Sequence, residues 1–300
     1  MNLNKTISKI SDNLFIIHQK MFPLYLVSGE KNFLIDTSVS AFNEKIIKKL
    51  EFLLTDKQLD SILLTHSHYD HTGSAPYIQK KFGSAILGSE RTIELLKKEN
   101  VREFIRDMNT KFNHVMGIKK DTMFPPLKKM DSIKDGDIIR ISHDRFFKVI
   151  KTPGHTKCSL SFLLMPQKIL FPGDAAGVIE RNNRIKPLFL SDYNSYITSI
   201  KKMIGIKAKM LCLPHNFHIK GENRVKNYLE RSLESSIILK DKIQNSLNKG
   251  MVIEEISETI LKKEFPLPTV EGPKKAFNIN LLSMIKAVEK LNENKNLTPE

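Results

Sequence analysis

Apolar and polar positions follow two regimes along these 300 residues. Up to about Leu213, short apolar runs alternate with stretches whose apolar residues recur at helical spacing, the pattern of a layered α/β fold. Leu14–Ile17, Tyr25–Val27 and Phe33–Ile35 read as strands, parted by Pro23 and by Ser28-Gly29. Phe42–Leu54 reads as an amphipathic helix and Ser61–Thr65 as a buried strand that ends at a polar cluster. Thr72–Phe82 is expected to be the helix after that cluster, and Ala85–Gly88 the next strand. Ser89 is placed to cap a helix that runs through Lys98. Strand signals return at Ile138–Ile141, Phe146–Ile150, Leu160–Leu164, Ile169–Phe171 and Met210–Leu213. Between these groups, 100–129 starts helical and turns irregular before Pro125-Pro126; a lid and an added surface helix fit it equally well. Beyond Lys220 only helical spacing remains, over Val225–Asn248, Val252–Lys263 and Lys274–Leu291, split by Gly250 and the Pro266/Pro268 pair, with 292–300 expected to fray. The expected division is an α/β domain over 1–220 and a helical extension over 221–300.

Composition narrows this picture in three ways. The chain is 40% hydrophobic and 27% charged, which is ordinary for a soluble globular protein. Its two cysteines, Cys158 and Cys212, exclude a disulfide scaffold, and with no CxxC pair they exclude a cysteine-only zinc site. No apolar run approaches the ~20 residues of a membrane span, and the N-terminus lacks a signal-peptide core, so a cytoplasmic location is expected. The net charge of +15 raises nucleic acid as a partner. Lysine supplies most of it, scattered in pairs such as Lys48-Lys49 and Lys97-Lys98, whereas phosphate recognition by bidentate forks calls for arginine. General lysine bias, with some attraction for an anionic substrate, accounts better for the excess.

The candidate chemistry is concentrated in Thr65-His66-Ser67-His68-Tyr69-Asp70-His71-Thr72-Gly73. Three imidazoles and a carboxylate follow a strand directly, and a turn there can point His66 and His68 at one metal while Asp70 and His71 reach a second. Zinc binds His nitrogen and carboxylate oxygen at about 2.0–2.2 Å, so the residue types suit it. Three further candidates each sit just past a strand: His155 in Thr152-Pro153-Gly154-His155, Asp174 in Phe171-Pro172-Gly173-Asp174, and His215 in Leu213-Pro214-His215. Open α/β sheets place their sites at the carboxyl ends of strands, so four such ends define one consistent geometry. Any one of these residues alone is more simply a satisfied surface or core side chain. His218, three residues after His215, competes with it, and the Leu-Pro-His context at a strand end favours His215. His114 lies in the possible lid; His18 and His143 read as structural.

This ensemble resembles the metallo-β-lactamase superfamily, whose HxHxDH motif is matched by His66, His68, Asp70 and His71 and whose later His, Asp and His are matched by His155, Asp174 and His215. The resemblance covers about 10–220 and implies an αββα sandwich. It also implies two divalent metal ions, zinc or iron with manganese a third option: His66, His68 and His155 on the first, Asp70, His71 and His215 on the second, and Asp174 bridging. Asp36, after Phe33–Ile35, matches an acidic position that braces the site. The implied reaction is hydrolysis by a metal-bridging hydroxide, with Asp70 orienting the nucleophile and relaying its proton. Neither cysteine falls on a ligand position, which disfavours antibiotic hydrolysis. The glutamate motif and flavodoxin domain of the flavo-diiron relatives are absent.

Within that superfamily, details outside the metal motif resemble the thioesterases that act on aminobenzoylacetyl-coenzyme A in quinolone-signal biosynthesis. These are Ser89-Glu90-Arg91-Thr92, the run Lys186-Pro187-Leu188-Phe189-Leu190 before Asp192-Tyr193, and a terminal helix around Leu282-Ser283-Met284. The resemblance implies a roof of C-terminal helices and a pocket lined by Leu188, Leu190 and Ser283, although plain core packing explains the two leucines equally well. Val178 replaces an acidic residue there, and Asn216 stands where Gly is common after the last His. The expected substrate is a small-molecule acyl thioester of coenzyme A type. The alternatives are an acyl-homoserine lactone or other ester, a phosphodiester or RNA, and a non-catalytic binding role, which loss of ligands would have favoured. No membrane partner is expected, nucleic acid is disfavoured, and a homodimer stays open.

Overall fold

The structure is a computed structural model that describes residues 6–19, 21–118, 122–180, 183–215, 217–264 and 271–296. It divides into two compact units, the first comprising Met1–Lys151, Cys158–Gly173 and Ala208–Val225, the second Thr152–Lys157, Asp174–Lys207 and Lys226–Glu300.

The first unit holds both large sheets. Strands β1 (Ile7–Ser11), β2 (Leu14–Ile17), β3 (Leu24–Val27), β4 (Phe33–Ile35), β5 (Ser61–Leu63), β6 (Ala85–Ser89) and β7 (Met130–Ile133) lie side by side in chain order. The first four pair antiparallel, and β4 through β7 pair parallel. Parallel strands need crossovers, which α1 (Asn43–Leu54), α2 (Tyr69–Thr72), α3 (Ala75–Phe82), α4 (Glu90–Lys97) and α5 (Glu99–Val115) supply. Strands β4 and β5 are buried at every position, which is why they read as unbroken apolar runs. The second sheet is ordered β15 (His218–Lys220), β14 (Met210–Cys212), β11 (Ile169–Phe171), β10 (Leu160–Met165), β9 (Phe146–Lys151) and β8 (Ile138–Arg140).

One core fills the space between these sheets, with Phe33 of β4 edge-on to Phe147 of β9 at 5.7 Å and Tyr25 of β3 edge-on to Phe171 of β11 at 5.5 Å. A second core, including Ile46, Leu50, Ile78, Leu96 and Ile105, seats the helices on the other face of the first sheet. Ser89 caps α4 as expected, accepting from the Thr92 amide at 3.2 Å. The expected helix over Thr72–Phe82 is two helices, α2 and α3, because Pro76 near the start of α3 and the turn at Gly73-Ser74 reset the chain. The 100–129 stretch begins as the regular helix α5, which is anchored by buried Ile105, Asn109 and Asn113; Asn109 Oδ1 accepts from the Ser40 amide at 2.7 Å. Residues 119–121 lie outside the described residues.

The second unit contains the hairpin of β12 (Val178–Ile179) and β13 (Ile185–Lys186), then α6 (Tyr193–Gly205), most of α7 (Glu222–Asn248), α8 (Ile253–Glu264) and α9 (Glu271–Asn296). The three C-terminal helices are those that the periodicity predicts, except that α9 continues past Leu291 to Asn296, into the stretch expected to fray.

Candidate metal centre

The site begins where β4 and β5 end together. Ile35 lies opposite Leu63 in the parallel register, so Asp36 and Thr65 leave the sheet at one edge. Asp36 takes φ +56, a left-handed turn that Asp tolerates better than most side chains. Its amide donates to Leu63 O at 2.9 Å, and its Oδ1 accepts from the Thr65 amide at 2.8 Å. Thr65 Oγ1 lies 2.9 Å from Asp36 Oδ2 and 3.1 Å from His66 Nδ1. Asp36 Oδ2 in turn lies 2.8 Å from His71 Nδ1, and all four residues are buried. A carboxylate oxygen accepts, so the His71 Nδ1–H donates and its Nε2 is the nitrogen left with a lone pair.

His68 has extended backbone, φ −66 and ψ 151, and the chain turns from it into α2. The amides of His71 and Thr72 both donate to His68 O, at 3.0 and 3.1 Å, and Thr72 Oγ1 donates to it at 2.9 Å. That tight turn is what folds the motif back on itself. The His66 ring centroid lies 4.6 Å from that of His68 and 4.1 Å from that of His71. Asp70 Oδ2 lies 3.8 Å from both His71 Nε2 and His215 Nε2, beyond hydrogen-bond reach. His215 arrives from the second sheet, just past β14, and is held from two sides. Phe22 packs edge-on against its ring at 5.4 Å, and the Tyr25 hydroxyl donates to Leu213 O at 2.8 Å. Burial, then the neighbouring Cys212, pushes the Tyr25 hydroxyl pKa well up, so it stays a donor.

The second unit carries the other two candidates. His155 follows Gly154, whose φ of +124 and close approach to Tyr196 leave no room for a side chain; a Cβ would lie 2.3 Å from the Tyr196 backbone. His155 Nδ1 donates to Leu188 O at 2.9 Å, which leaves Nε2 3.4 Å from Asp174 Oδ2. Asp174 lies in a short 3-10 turn, Gly173–Ala176. From α7, Ser232 donates to Ala176 O at 2.8 Å and Tyr228 to Gly177 O at 3.0 Å, so that helix fixes the turn.

The other predicted residues are placed as follows. Leu188 is buried, its amide donating to Tyr196 Oη at 3.2 Å; Leu190 is half-buried two residues on. Ser283 lies on α9 and donates to Ile279 O at 3.0 Å. Val178 is half-buried in β12, and Asn216 lies outside the described residues. His218 sits in β15 and is not a member of the Asp70, His71 and His215 group, and its pKa is lowered by burial, then by Lys220 and His18. His114 is exposed in the last turn of α5 and His143 is exposed; exposed His18 lies 3.0 Å from Ser8 Oγ. Sequence reasoning missed Thr65, Phe22, Tyr25 and Tyr196. Thr65 adjoins the motif and offered a local signal, whereas the others act across long sequence separations.

The donor set fits divalent metals. In both units a His has Nδ1 held by a buried acceptor, Asp36 or Leu188 O, and turns Nε2 toward a carboxylate, the outer hydrogen bond that fixes the tautomer and ring orientation of metal-binding imidazoles. Asp70, His71 and His215 bring one ligand atom each to within 4.8 Å of one another. These clusters of His and Asp are compatible with a divalent metal pair.

Two facing sheets, helices over the first, a C-terminal helical region and His/Asp clusters at strand ends define a metallo-hydrolase architecture. Residues 24–215 match the metallo-beta-lactamase superfamily model, and the chain belongs to that superfamily. It is 28% identical over 243 residues to the metallo-beta-lactamase fold-containing protein ST1585 of Sulfurisphaera tokodaii, covering 78% of this chain and 85% of that one. The crystal structure of ST1585 superposes with a TM-score of 0.60 over 90% of this chain and 93% of that one, at 20% identity. The hydroxyacylglutathione hydrolase GloC of Haemophilus influenzae is 31% identical over 161 residues, 53% of this chain and 67% of GloC. The acyl-coenzyme A thioesterase MBLAC2 of Gallus gallus is 25% identical over 178 residues, 56% of this chain and 61% of MBLAC2. Among the described residues no helix is long and apolar enough to cross a membrane.

Proposed function

We propose that the chain is a dinuclear metal-dependent hydrolase that cleaves an acyl thioester of coenzyme A type in the cytoplasm. The observation that carries this reading is the pair of oriented imidazoles, His71 on Asp36 and His155 on the Leu188 carbonyl, each directed at an aspartate of the superfamily motif. His66, His68 and His155 are assigned to one metal, zinc, iron or manganese, and Asp70, His71 and His215 to the other, with Asp174 shared. The expected division into a catalytic domain over 1–220 and a helical extension over 221–300 that covers the active site is part of the same proposal, as are Leu188, Leu190 and Ser283 at the acyl group. The thioester bond is supported by relatives named for hydroxyacylglutathione and acyl-coenzyme A substrates, and the coenzyme A carrier by the second of these.

When bound, the metals supply Lewis acidity toward the thioester carbonyl and toward water at neutral pH. The chain's own part is to hold the donors still and to move a proton. Asp36 and Thr65 lock the His66 and His71 rings from beneath. Asp70, with 16% of its side chain accessible, is assigned to take a proton from water and return it to the leaving thiolate. Thiol release from a panel of acyl-coenzyme A thioesters, assayed beside acyl-homoserine lactones and phosphodiesters on metal-analysed protein, tests the reading. Chelator-sensitive thiol release is expected; turnover confined to lactones or phosphodiesters overturns it.

A further inference from the structure

The second unit contains a cavity of about 350 Å³ that the catalytic reading leaves unused. One wall is a face of α7, where Arg231, Leu239 and Lys242 recur at helical spacing; the other is the β13 segment, with Arg184, Ile185 and Pro187. Arg184, Ile185 and Pro187 line the cavity, whereas Lys186 is not among its lining residues and is engaged by Glu180 at 2.7 Å and by the Phe277 ring at 3.8 Å. A hydrogen bond from Arg231 to the Asn183 carbonyl ties the two walls at the rim. Three cationic side chains, Arg184, Arg231 and Lys242, line this space, and its described lining residues include no carboxylate.

That combination, an apolar floor beneath Arg and Lys, has the chemistry of a site for a multiply charged anion attached to a flat apolar group. Guanidinium forks match phosphate oxygens in pairs, and Ile185, Pro187 and Leu239 offer a surface for a ring. The volume falls in the range of small-ligand sites, about 300–1,000 Å³. Pro187 lines the cavity, and the next residue in the chain, Leu188, offers the carbonyl that orients His155.

We infer that this cavity takes the phosphorylated end of the substrate's carrier, the 3′-phosphoadenosine diphosphate portion of a coenzyme A thioester. The inference rests on the thioesterase reading above and adds the part of the substrate that is recognised away from the scissile bond. A glutathione carrier bears carboxylates but neither phosphate nor nucleoside, so it lacks the multiply charged group and the ring that this site matches.

Adenosine 3′,5′-bisphosphate, titrated calorimetrically into the metal-loaded full chain, probes the cavity without any turnover. Arg184 and Lys242 are exposed, so the double variant R184E/K242E is expected to fold. Its affinity for the bisphosphate should fall at least about tenfold, the scale of one lost charged hydrogen bond. In parallel, the ratio of kcat/KM for an acyl-coenzyme A over the same acyl-N-acetylcysteamine should drop by a similar factor, through KM. Absence of bisphosphate binding by the parent chain, or equal binding by the variant, overturns the site whether or not thioesters are cleaved. An equal fall for a glutathione thioester also overturns it, because the cavity would then be reading a carboxylate. A parent chain that cleaves no thioester refutes the catalytic reading, and the bisphosphate titration still judges the cavity.

Discussion

Asp36 Oδ2 and His71 Nδ1 lie 2.8 Å apart in the interior, although 35 residues separate them in sequence. The pairing fixes the tautomer and the ring plane of the motif's last histidine, and Thr65 Oγ1 extends the same network to His66. Asp36→Asn keeps the left-handed backbone, since Asn tolerates it as well as Asp, but removes the charge. Loss of such a partner typically costs 10–100-fold in metal affinity. Competition with a chelating dye is expected to show a drop of that size with unchanged circular dichroism; unaltered affinity would refute the bracing role.

Asp174→Ala should abolish hydrolysis and lower the bound-metal stoichiometry. His18→Ala should do neither, because exposed His18 faces Ser8, and not the Asp70, His71 and His215 group. Elemental analysis beside the thiol-release assay reads both. Full activity in the Asp174 variant would sink the two-metal mechanism.

Gly154→Ala combines a backbone conformation reserved for glycine with a collision that no rotamer change relieves, because the atoms met at 2.3 Å belong to the Tyr196 backbone. Strain at such a position costs about 1–3 kcal/mol, with overpacking added to it. Urea denaturation should show a loss above ~2 kcal/mol. Gly83→Ala, where the φ of +67 is strained but nothing lies within 4 Å, should cost less.

Tyr25→Phe removes the hydroxyl that satisfies Leu213 O and anchors the approach to His215. A buried acceptor left bare costs about 1–3 kcal/mol. A lower denaturation midpoint, with weaker metal binding at the Asp70, His71 and His215 group, is expected; a variant indistinguishable from the parent would remove Tyr25 from the site's support.

Burial raises the pKa of Cys212 and of Tyr25 in the folded chain. Both groups are therefore held neutral, and the stability this implies is present below their unfolded values, near 8.5 and 10, and is lost as pH rises beyond them. Stability should fall from about pH 9 upward. Cys212 should also resist iodoacetamide at pH 8 until the chain unfolds, which peptide mass mapping can follow; rapid labelling of the native chain would contradict the burial.

Much of the fold was legible because its local signals agree. Buried parallel strands such as β5 stand out as continuous apolar runs, Ser89 announces α4, and three long amphipathic periods announce α7, α8 and α9. β1 was missed because exposed Ser8 and Lys9 interrupt Ile7 and Ile10, so its pairing with β2 is a matter of edge hydrogen bonds and not of pattern. β7 was missed for the same reason, with Asp131 and Ser132 facing outward in mid-strand.

The candidate site divides along the same line. The dense run His66, His68, Asp70 and His71, and the placing of His155, Asp174 and His215 after strands, are properties of sequence alone, because ligand types and strand ends are local features. Which histidine nitrogen faces a carboxylate is not local. It is decided by Asp36 meeting His71 across a parallel register, by the Leu188 carbonyl meeting His155, and by Tyr25 and Phe22 holding His215. The partition of 152–157 and 174–207 with the C-terminal helices is likewise a tertiary outcome. Side-chain periodicity says which face of an element is buried; only the packed chain says against what.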